Sequence, residues 1–592
     1  MGVNNDGWML GNINRGSEGF SRRDVLKSIG AAGAATAAVA SFTGSASAAI
    51  GDSAVYQYYH TRWNDIRNDL STIADQGYDA IQVPPAQESK LSWNERDYDS
   101  EIFHTPLGYQ PINHKNFDSE FGTEWEYSQM VDEAHNQGLD VIADAVMNHM
   151  AYGVDFGNFP YFGYNDFHHN GAIDYSDPWS VENGDLSGLP DLKQESSYVR
   201  GQLQDYLNKY ADLGVDGIRF DAAKHMPEWF FSDHANQWAD DRGLYKVGEV
   251  LNGDPNVCDS YAQTGQSVTD YPLYYTMKED VFHQNGDMNA LDGAGYVNWN
   301  SYRSMTFVSN HDSRPPQYER LAYAFILTYE GYPRVYSHRI GVNDGDIRNL
   351  LWIRNNLLSG SATVRHVDTD LFVFDRGDAL VAINRGSSSR GKWVYTDIGA
   401  NQSLSDCTGT MGNVSTNSDS WVYVEVPATD YVVYSTACHD GGGGGGIQDG
   451  GTYRITNVKS GKALDVEGGT SATGNGEDIH QWDYLGNANQ HWTIEDLGNG
   501  YYRLTATHSG RVLDVSGGTS ATDNGANVHQ WDWLGNENQQ WAIESTDKGY
   551  RIVARHSGKA LDIDGGSTSN GATAFQWDWH GGDNQHWTFE QV

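Results

Sequence analysis

The stretch 451–592 is built from three copies of one pattern. Ser460-Gly461-Lys462-Ala463-Leu464-Asp465-Val466 returns at 509–515 and again at 557–563. Trp482-Asp483 returns as Trp531-Asp532 and Trp577-Asp578, and Asn489-Gln490-His491-Trp492 returns at 538–541 and 584–587. A period of about fifty residues, used three times, means one unit stacked around a pseudo-threefold axis. Ahead of it, 441–446 is an uninterrupted glycine run, which places a flexible linker at 438–450.

The remaining chain is too long for one core, since the whole sequence has 592 residues. From Ala54 to about Ser337, short apolar runs alternate with helical stretches. Candidate strands are 55–58, 80–83, 140–146, 217–221, 245–250, 268–271, 305–308 and 334–337. Eight such units predict a closed (β/α)₈ TIM barrel over 49–355, with chemistry at the carboxyl ends of its strands. The Gly-, Asn-, His- and aromatic-rich segment at about 151–192 is too long for a bare loop and reads as an inserted subdomain. Across 356–437 the pattern changes to short alternating strands such as Leu371-Phe372-Val373-Phe374, a C-terminal antiparallel β-sandwich.

Charge narrows the partners. Lys plus Arg number 38 against 79 acids, a net −41, and only 13 of the 38 are lysines. Such a surface repels nucleic acid. A lysine-poor acidic surface also fits adaptation to high salt, where screening removes self-repulsion. At the N-terminus, Ser21-Arg22-Arg23-Asp24-Val25-Leu26-Lys27 precedes a weakly apolar run to Phe42 and Ala46-Ser47-Ala48. A buried alanine-rich helix is one reading. The paired arginines and the A-x-A end favour a twin-arginine export signal over 1–48, with a mature start near Ala49. The run is too short to anchor in a membrane. Of Cys258, Cys407 and Cys438, the last two could pair; three free thiols fit the sequence equally well.

The chemistry centres on Gly217-Ile218-Arg219-Phe220-Asp221-Ala222-Ala223-Lys224-His225. Arg219 and Asp221 lie two apart on one strand and so share a face. Buried there, they must pair. A structural ion pair would suffice to explain them; so would a carboxylate nucleophile held ionised beside a fixed cation. Four further stretches end other strands or the insertion: Asp144-Ala145-Val146-Met147-Asn148-His149, Gly248-Glu249-Val250, Phe307-Val308-Ser309-Asn310-His311-Asp312 and Leu189-Pro190-Asp191-Leu192.

Together and in this order, these stretches resemble the conserved regions of the alpha-amylase family of glycoside hydrolases, of the secreted, haloarchaeal type, over about 54–435. The resemblance implies Asp221 as nucleophile, Glu249 as general acid and base, and Asp312 as the group that holds substrate hydroxyls. A retaining glycosidase sets its two carboxyls about 5–5.5 Å apart, one ionised and one protonated. Arg219 is expected to keep Asp221 ionised, and burial to raise the Glu249 pKa. His149 and His311 are expected at sugar hydroxyls, or else as core histidines. Tyr109 would stack on a sugar ring or simply pack. Lys224 and His225 complete the expected substrate contacts. The family's structural calcium would take Asn148, Asp191, the His225 carbonyl and, further off, the Glu182 carbonyl. Arg334, with Arg219 and Asn310, matches the chloride site of one branch of the family; a surface arginine at a strand start is the equal alternative.

The triple repeat resembles the ricin-B-like β-trefoil carbohydrate-binding module. Its implied sugar sites are Asp465, Trp482, Asn489 and Gln490; Asp514, Trp531, Asn538 and Gln539; and Asp562, Trp577, Asn584 and Gln585. His480, His529 and Phe575 depart from the usual glutamine there, and the cysteines common in these repeats are missing. The expectation is a secreted, monomeric alpha-amylase acting on starch-like α-glucan, with calcium, possible chloride activation and a second carbohydrate ligand on the trefoil. A related glycosyl-transferring enzyme and an inactive carbohydrate-binding protein are the alternatives.

Overall fold

Eight short apolar runs become eight parallel strands: β1 (Val55–Gln57), β2 (Ala80–Val83), β3 (Asp140–Ala145), β4 (Gly217–Phe220), β5 (Tyr245–Gly248), β6 (Ser267–Thr269), β7 (Ser304–Phe307) and β8 (Tyr332–Tyr336). Each pairs with the next, and Val55 of β1 lies opposite both Ala80 and Arg334, so the barrel closes. This is the predicted (β/α)₈ barrel, with the strand ends shifted by two residues at most. The computed structural model describes residues 53–95, 106–342, 344–438, 450–497, 501–546 and 548–592. The predicted export signal and the glycine linker lie outside them. The chain divides into two compact units, taken in turn below.

The period of two along each strand builds the barrel interior in layers. Val55, Ala80, Ile142, Val247, Met305 and Tyr332 form a dry layer. Two residues further along the same strands stand Gln57, Gln82, Asp144, Glu249, Phe307 and Arg334. Arg219 enters beside them, opposite Asp144 in the β3–β4 register. The barrel therefore turns from apolar to ionic within one step, at the carboxyl ends of its strands.

Helices outside the barrel read as expected from their apolar spacing. Trp63–Asp75 buries Trp63, Ile66, Leu70 and Ile73, which recur on one helical face. Glu124–Asn136 starts with a capping box in which Thr123 and Glu126 each satisfy the other's backbone N–H. Between β3 and the helix Ser197–Asp212, the insertion folds as short helical turns, including Pro178–Asn183. It returns to the barrel through an isolated bridge between His149 and Asp191.

In the second unit, a six-stranded antiparallel sheet and a two-stranded ribbon enclose one core of Leu371, Val373, Leu380, Val394, Val422 and Val424. This is the predicted sandwich. Cys407 and Cys438 form a disulfide, and Cys258 is free and buried, which resolves the open pairing. The three repeats then fold as predicted around one core, in which Trp492, Trp541 and Trp587 are wholly buried. Their indole N–H groups donate to Leu464 O, Leu513 O and Leu561 O at 3.0, 2.9 and 3.1 Å, one bond per repeat.

Candidate active site

Arg219 is the hub of the ionic layer. Its Nη1 donates to Asp144 Oδ1 and Oδ2 at 2.7 and 2.8 Å and to Asp221 Oδ1 at 2.8 Å. Its Nη2 reaches Glu249 Oε1 at 2.5 Å. All four side chains are buried. One guanidinium thus holds carboxyls from β3, the end of β4 and the end of β5, and so brings Asp221 and Glu249 together. Just past Asp221, Ala222 adopts a left-handed backbone (φ 49°), unusual without glycine. That turn aims the Ala222 N–H at Glu249 Oε2, 3.0 Å away.

The far wall comes from β7. Asn310 accepts from the Asp312 N–H at 2.9 Å and donates to Tyr271 Oη at 3.1 Å, while Tyr271 Oη lies 3.4 Å from Glu249 Oε1. Asp312 meets His311 Nε2 at 3.1 Å. Two guanidiniums, Arg219 and Arg334, here confront four carboxyls: Asp144, Asp221, Glu249 and Asp312.

This arrangement reverses two expectations. Asp221 was expected ionised, but burial, with Glu249 and Asp144 beside it, drives its pKa well up despite Arg219. Glu249 was expected raised. Burial does act on it, but Arg219, then His311 and the Ala222 N–H, outweigh burial and leave it lowered. The cause is the shared guanidinium: sequence spacing ties Arg219 to Asp221, whereas in space its second nitrogen serves Glu249. Asp312 keeps an open side, with 44% of its side chain exposed, yet enclosure of its base and the Glu249 charge push it up to about 7.

His149 and His311 are buried, and burial lowers both to about 4, so they are neutral donors and acceptors at ordinary pH. His149 Nε2 sits 3.1 Å from Tyr109 O, while His311 Nδ1 is buried and unpartnered. Tyr109 is only 7% exposed. Its hydroxyl donates to Asp144 Oδ2 at 2.7 Å, and its ring lies 4.8 Å from that of His311, so packing accounts for most of its surface. Lys224 donates to Leu251 O at 3.0 Å.

The cation candidates do converge in part. The outer amide atom of Asn148 lies 2.9 Å from His225 O and 3.2 Å from Asp191 Oδ1. As NH₂ it donates to both. As oxygen, it completes a group of three oxygens that only a cation would stabilise, the hard-oxygen donor set calcium takes. The other Asp191 oxygen is engaged by His168 Nδ1 at 2.6 Å. His225 Nδ1 bonds to Val181 O at 2.9 Å, which brings the residue before Glu182 to this region. The half-buried Glu182 carboxyl is raised by burial and then by Glu228.

Arg334 is buried, which removes the surface alternative. Its Nη1 donates to Gln82 Oε1 at 2.9 Å. The Nε groups of Arg334 and Arg219 are both buried without a partner, and burial followed by the Arg219 charge lowers the Arg334 pKa. Two orphaned cationic donors within electrostatic reach of one another fit a small anion.

In the trefoil, Asp465 accepts from His480 and Asn489, each at 3.0 Å, and Asp514 accepts from His529 and Asn538 at 3.0 and 3.1 Å. In the third repeat Phe575 replaces the histidine, and His580 approaches Asp562 from another position at 3.4 Å, with Asn584 at 2.8 Å. Trp482 and Trp577 are 37% and 39% exposed, and Trp531 is half-buried. The glutamines mainly brace their own loops, and Gln585 also hydrogen-bonds Asp562. Gln490, Gln539 and Gln585 are wholly buried and bind their own loops on both amide atoms: Gln490, for instance, accepts from Leu485 N and donates to Asp483 O.

Sequence reasoning passed over Asp144, although its motif was in view. An acid inside a central barrel strand was the available signal. Gln82, Tyr271 and His168 carried no such mark, because only the folded barrel brings them to the site.

Residues 40–338 match the family described as alpha amylase, catalytic domain, slightly more than half of the chain. The chain belongs to the alpha-amylase family. Residues 380–435 match the alpha-amylase C-terminal domain, and 445–531 and 537–592 match the ricin-type beta-trefoil lectin domain-like family. An alpha-amylase of Aeromonas hydrophila is 34% identical over 292 residues, covering 47% of this chain and 62% of that protein. A cyclomaltodextrin glucanotransferase of Paenibacillus macerans is 26% identical over 421 residues, covering 60% and 58%. This alpha-amylase family member thus spans about three fifths of the length of these two relatives. Among solved structures, an alpha-amylase from Malbranchea cinnamomea superposes with a TM-score of 0.57 at 20% identity, covering 65% of this chain and 96% of that one.

Proposed function

We propose that this chain is a secreted alpha-amylase, a retaining endo-hydrolase of α-1,4-glucosidic bonds in starch-like α-glucans. The observation that carries the reading is the sharing of one guanidinium by Asp221 and Glu249 at the ends of adjacent barrel strands. Two carboxyls held close together at adjacent strand ends are what a two-step glycosidase needs. Asp221 attacks the anomeric carbon while Glu249 protonates the departing oxygen. Glu249, now a carboxylate, then takes a proton from a water whose oxygen bonds to the anomeric carbon as the bond to Asp221 breaks, which returns Glu249 protonated and Asp221 as a carboxylate. Asp312, with an exposed side, would take substrate hydroxyls, with His149 and His311 as neutral partners.

In the free site burial raises Asp221, while Arg219 outweighs burial at Glu249 and lowers it. For Glu249 to act as an acid, entry of a sugar must loosen the Arg219–Glu249 contact, which is 2.5 Å long. A chloride at the Arg219 and Arg334 donors, near Asn310, would compete with Glu249 for Arg219 and favour that loosening. Calcium held by Asn148, Asp191 and the His225 carbonyl would fix the insertion against the barrel. Export by the twin-arginine route and adaptation to salt follow from the N-terminal motif and the net charge of −41. Among the described residues no helix is long and apolar enough to cross a membrane.

Incubation with starch, reading reducing ends and the anomer first released by NMR, tests the proposal. Retained α-configuration is expected; inverted product or no hydrolysis would overturn it. Glycosyl transfer is the second reading, favoured by the glucanotransferase relative, and would show as longer or cyclic products from maltooligosaccharides.

A further inference from the structure

The two-stranded ribbon of the sandwich, Arg390–Tyr395 paired with Trp421–Val426, has an outer face unlike that of an ordinary solvent-facing sheet. Its inward positions Val394, Val422, Val424 and Val426 fill the core. Outward stand Trp393, Tyr395, Trp421 and Tyr423, with 55, 42, 43 and 43% of their surfaces exposed. The outer face of a half-buried antiparallel pair is normally polar, and clustered exposed aromatics are a solubility cost that calls for an occupant.

The rings are arranged in two cross-strand pairs. Trp393 opposes Tyr423 with ring centres 5.7 Å apart, and Tyr395 opposes Trp421 with centres 6.4 Å apart. Gly391, one strand over, sets the first pair. A Cβ added there would lie 2.0 Å from the Tyr423 hydroxyl oxygen and 2.5 Å from its Cζ. The Tyr423 ring therefore lies across the Gly391 backbone, a close approach only glycine permits. The Arg365 guanidinium stands 5.2 Å from the Tyr395 ring centre and is itself paired with Asp375 and Asp397.

We infer that this ribbon is a second polysaccharide-binding site, separate from both the barrel cleft and the trefoil, and that it takes a run of hexoses from a neutral α-glucan. The outward side chains include no aliphatic residue: they are the four amphipathic rings, whose flat faces suit sugar C–H faces and whose N–H and O–H edges suit hydroxyls, and Glu425 opposite Gly391 at one end. Successive rings on one strand stand about 7 Å apart, a spacing on the scale of neighbouring sugar units. A chain of net charge −41 disfavours a polyanion. A second copy is disfavoured by area: a ribbon face of six residues per strand offers roughly 200 Å², against about 800 Å² per partner in a standard interface. That the polymer is an α-glucan rests on the function proposed above.

The test uses the full chain with Trp482, Trp531 and Trp577 changed to Ala, so that the trefoil does not mask the ribbon. Into it go Trp393→Ser with Tyr423→Ser, and separately Tyr395→Ser with Trp421→Ser. Depletion isotherms on insoluble amylose, rates on granular starch and rates on a short maltooligosaccharide are compared, with melting temperature as the check on folding. Each pair is expected to weaken amylose binding roughly tenfold and to slow granule digestion similarly, from about 0.5–1.5 kcal/mol per aromatic contact. Rates on the short oligosaccharide should not change. Unchanged amylose affinity in folded variants overturns the site, as does a parent that does not bind amylose. A loss of dimer on sedimentation with affinity intact would assign the face to a second copy instead. If the parent hydrolyses nothing, the function above fails while the isotherms still decide the ribbon.

Discussion

Replacing Arg219 tests the ionic layer most directly. Arg219 meets Asp144, Asp221 and Glu249 at 2.5–2.8 Å. With charge centres about 4 Å apart, each pair contributes roughly 4 kcal/mol at an effective dielectric of about 20. Most of that offsets desolvation, and stranding the partners of a buried ion pair costs about 3–5 kcal/mol net. Arg219→Gln is thus expected to lose about 3–5 kcal/mol at pH 8, out of a typical total of 5–15 kcal/mol. The loss must depend on pH. Arg219 lowers the pKa of Asp144, Asp221 and Glu249, so its removal raises all three. A carboxyl with a raised folded pKa is at no disadvantage below its unfolded value near 4 and becomes destabilising as pH rises above it. Urea unfolding at pH 5 and pH 8 should therefore give a much smaller deficit at pH 5. For Arg219→Lys, which keeps the charge but not the fork, stability should fall less while turnover falls at least ~100-fold and the acid limb of kcat/KM moves to higher pH. An Arg219→Gln deficit equal at both pH values, or full activity in Arg219→Lys, would refute the account.

Other consequences are more direct. Asp221→Asn should cut turnover at least ~1,000-fold while starch binding, measured by depletion, persists; retained turnover would remove the nucleophile assignment. Reducing the Cys407–Cys438 bridge, which spans 31 residues, should cost the sandwich about 3–4 kcal/mol by loop entropy, read as a lower urea midpoint in dithiothreitol. Gln490→Ala should lower the melting temperature of the trefoil, because both amide ends hold a loop, whereas Trp482→Ala should weaken sugar binding with little change in melting temperature. Chelation should lower the melting temperature, and added calcium but not magnesium should restore it.

The eight strands were legible because each is a short apolar run, and the trefoil because its pattern recurs. Four of the five motif stretches were legible as strand ends and the fifth as the close of the insertion. What sequence spacing could not show is which nitrogen of Arg219 meets which acid, because that depends on the lateral register of three strands. Asp144 lies 75 residues from Arg219, yet the β3–β4 register sets them side by side. The same limit hid what Gln490 does: the Asn-Gln pair repeats as one unit, but in the first repeat Asn489 reaches the aspartate and Gln490 turns into the loop.

The Arg219–Glu249 contact follows from that same register. With Arg219 bonded to Glu249, the acid that should protonate a leaving group is favoured as a carboxylate. Activity then requires whatever draws Arg219 away from Glu249, and the two orphaned guanidinium Nε groups mark where an anion could do so. The argument predicts a specific salt response. At fixed ionic strength, chloride in place of nitrate or sulfate should raise kcat and move the basic limb of its pH profile upward, since a Glu249 freed of Arg219 keeps its proton to higher pH. Arg334→Gln should abolish the difference between the anions. A response that follows ionic strength alone, with Arg334→Gln behaving as the parent, would show that substrate by itself loosens the contact.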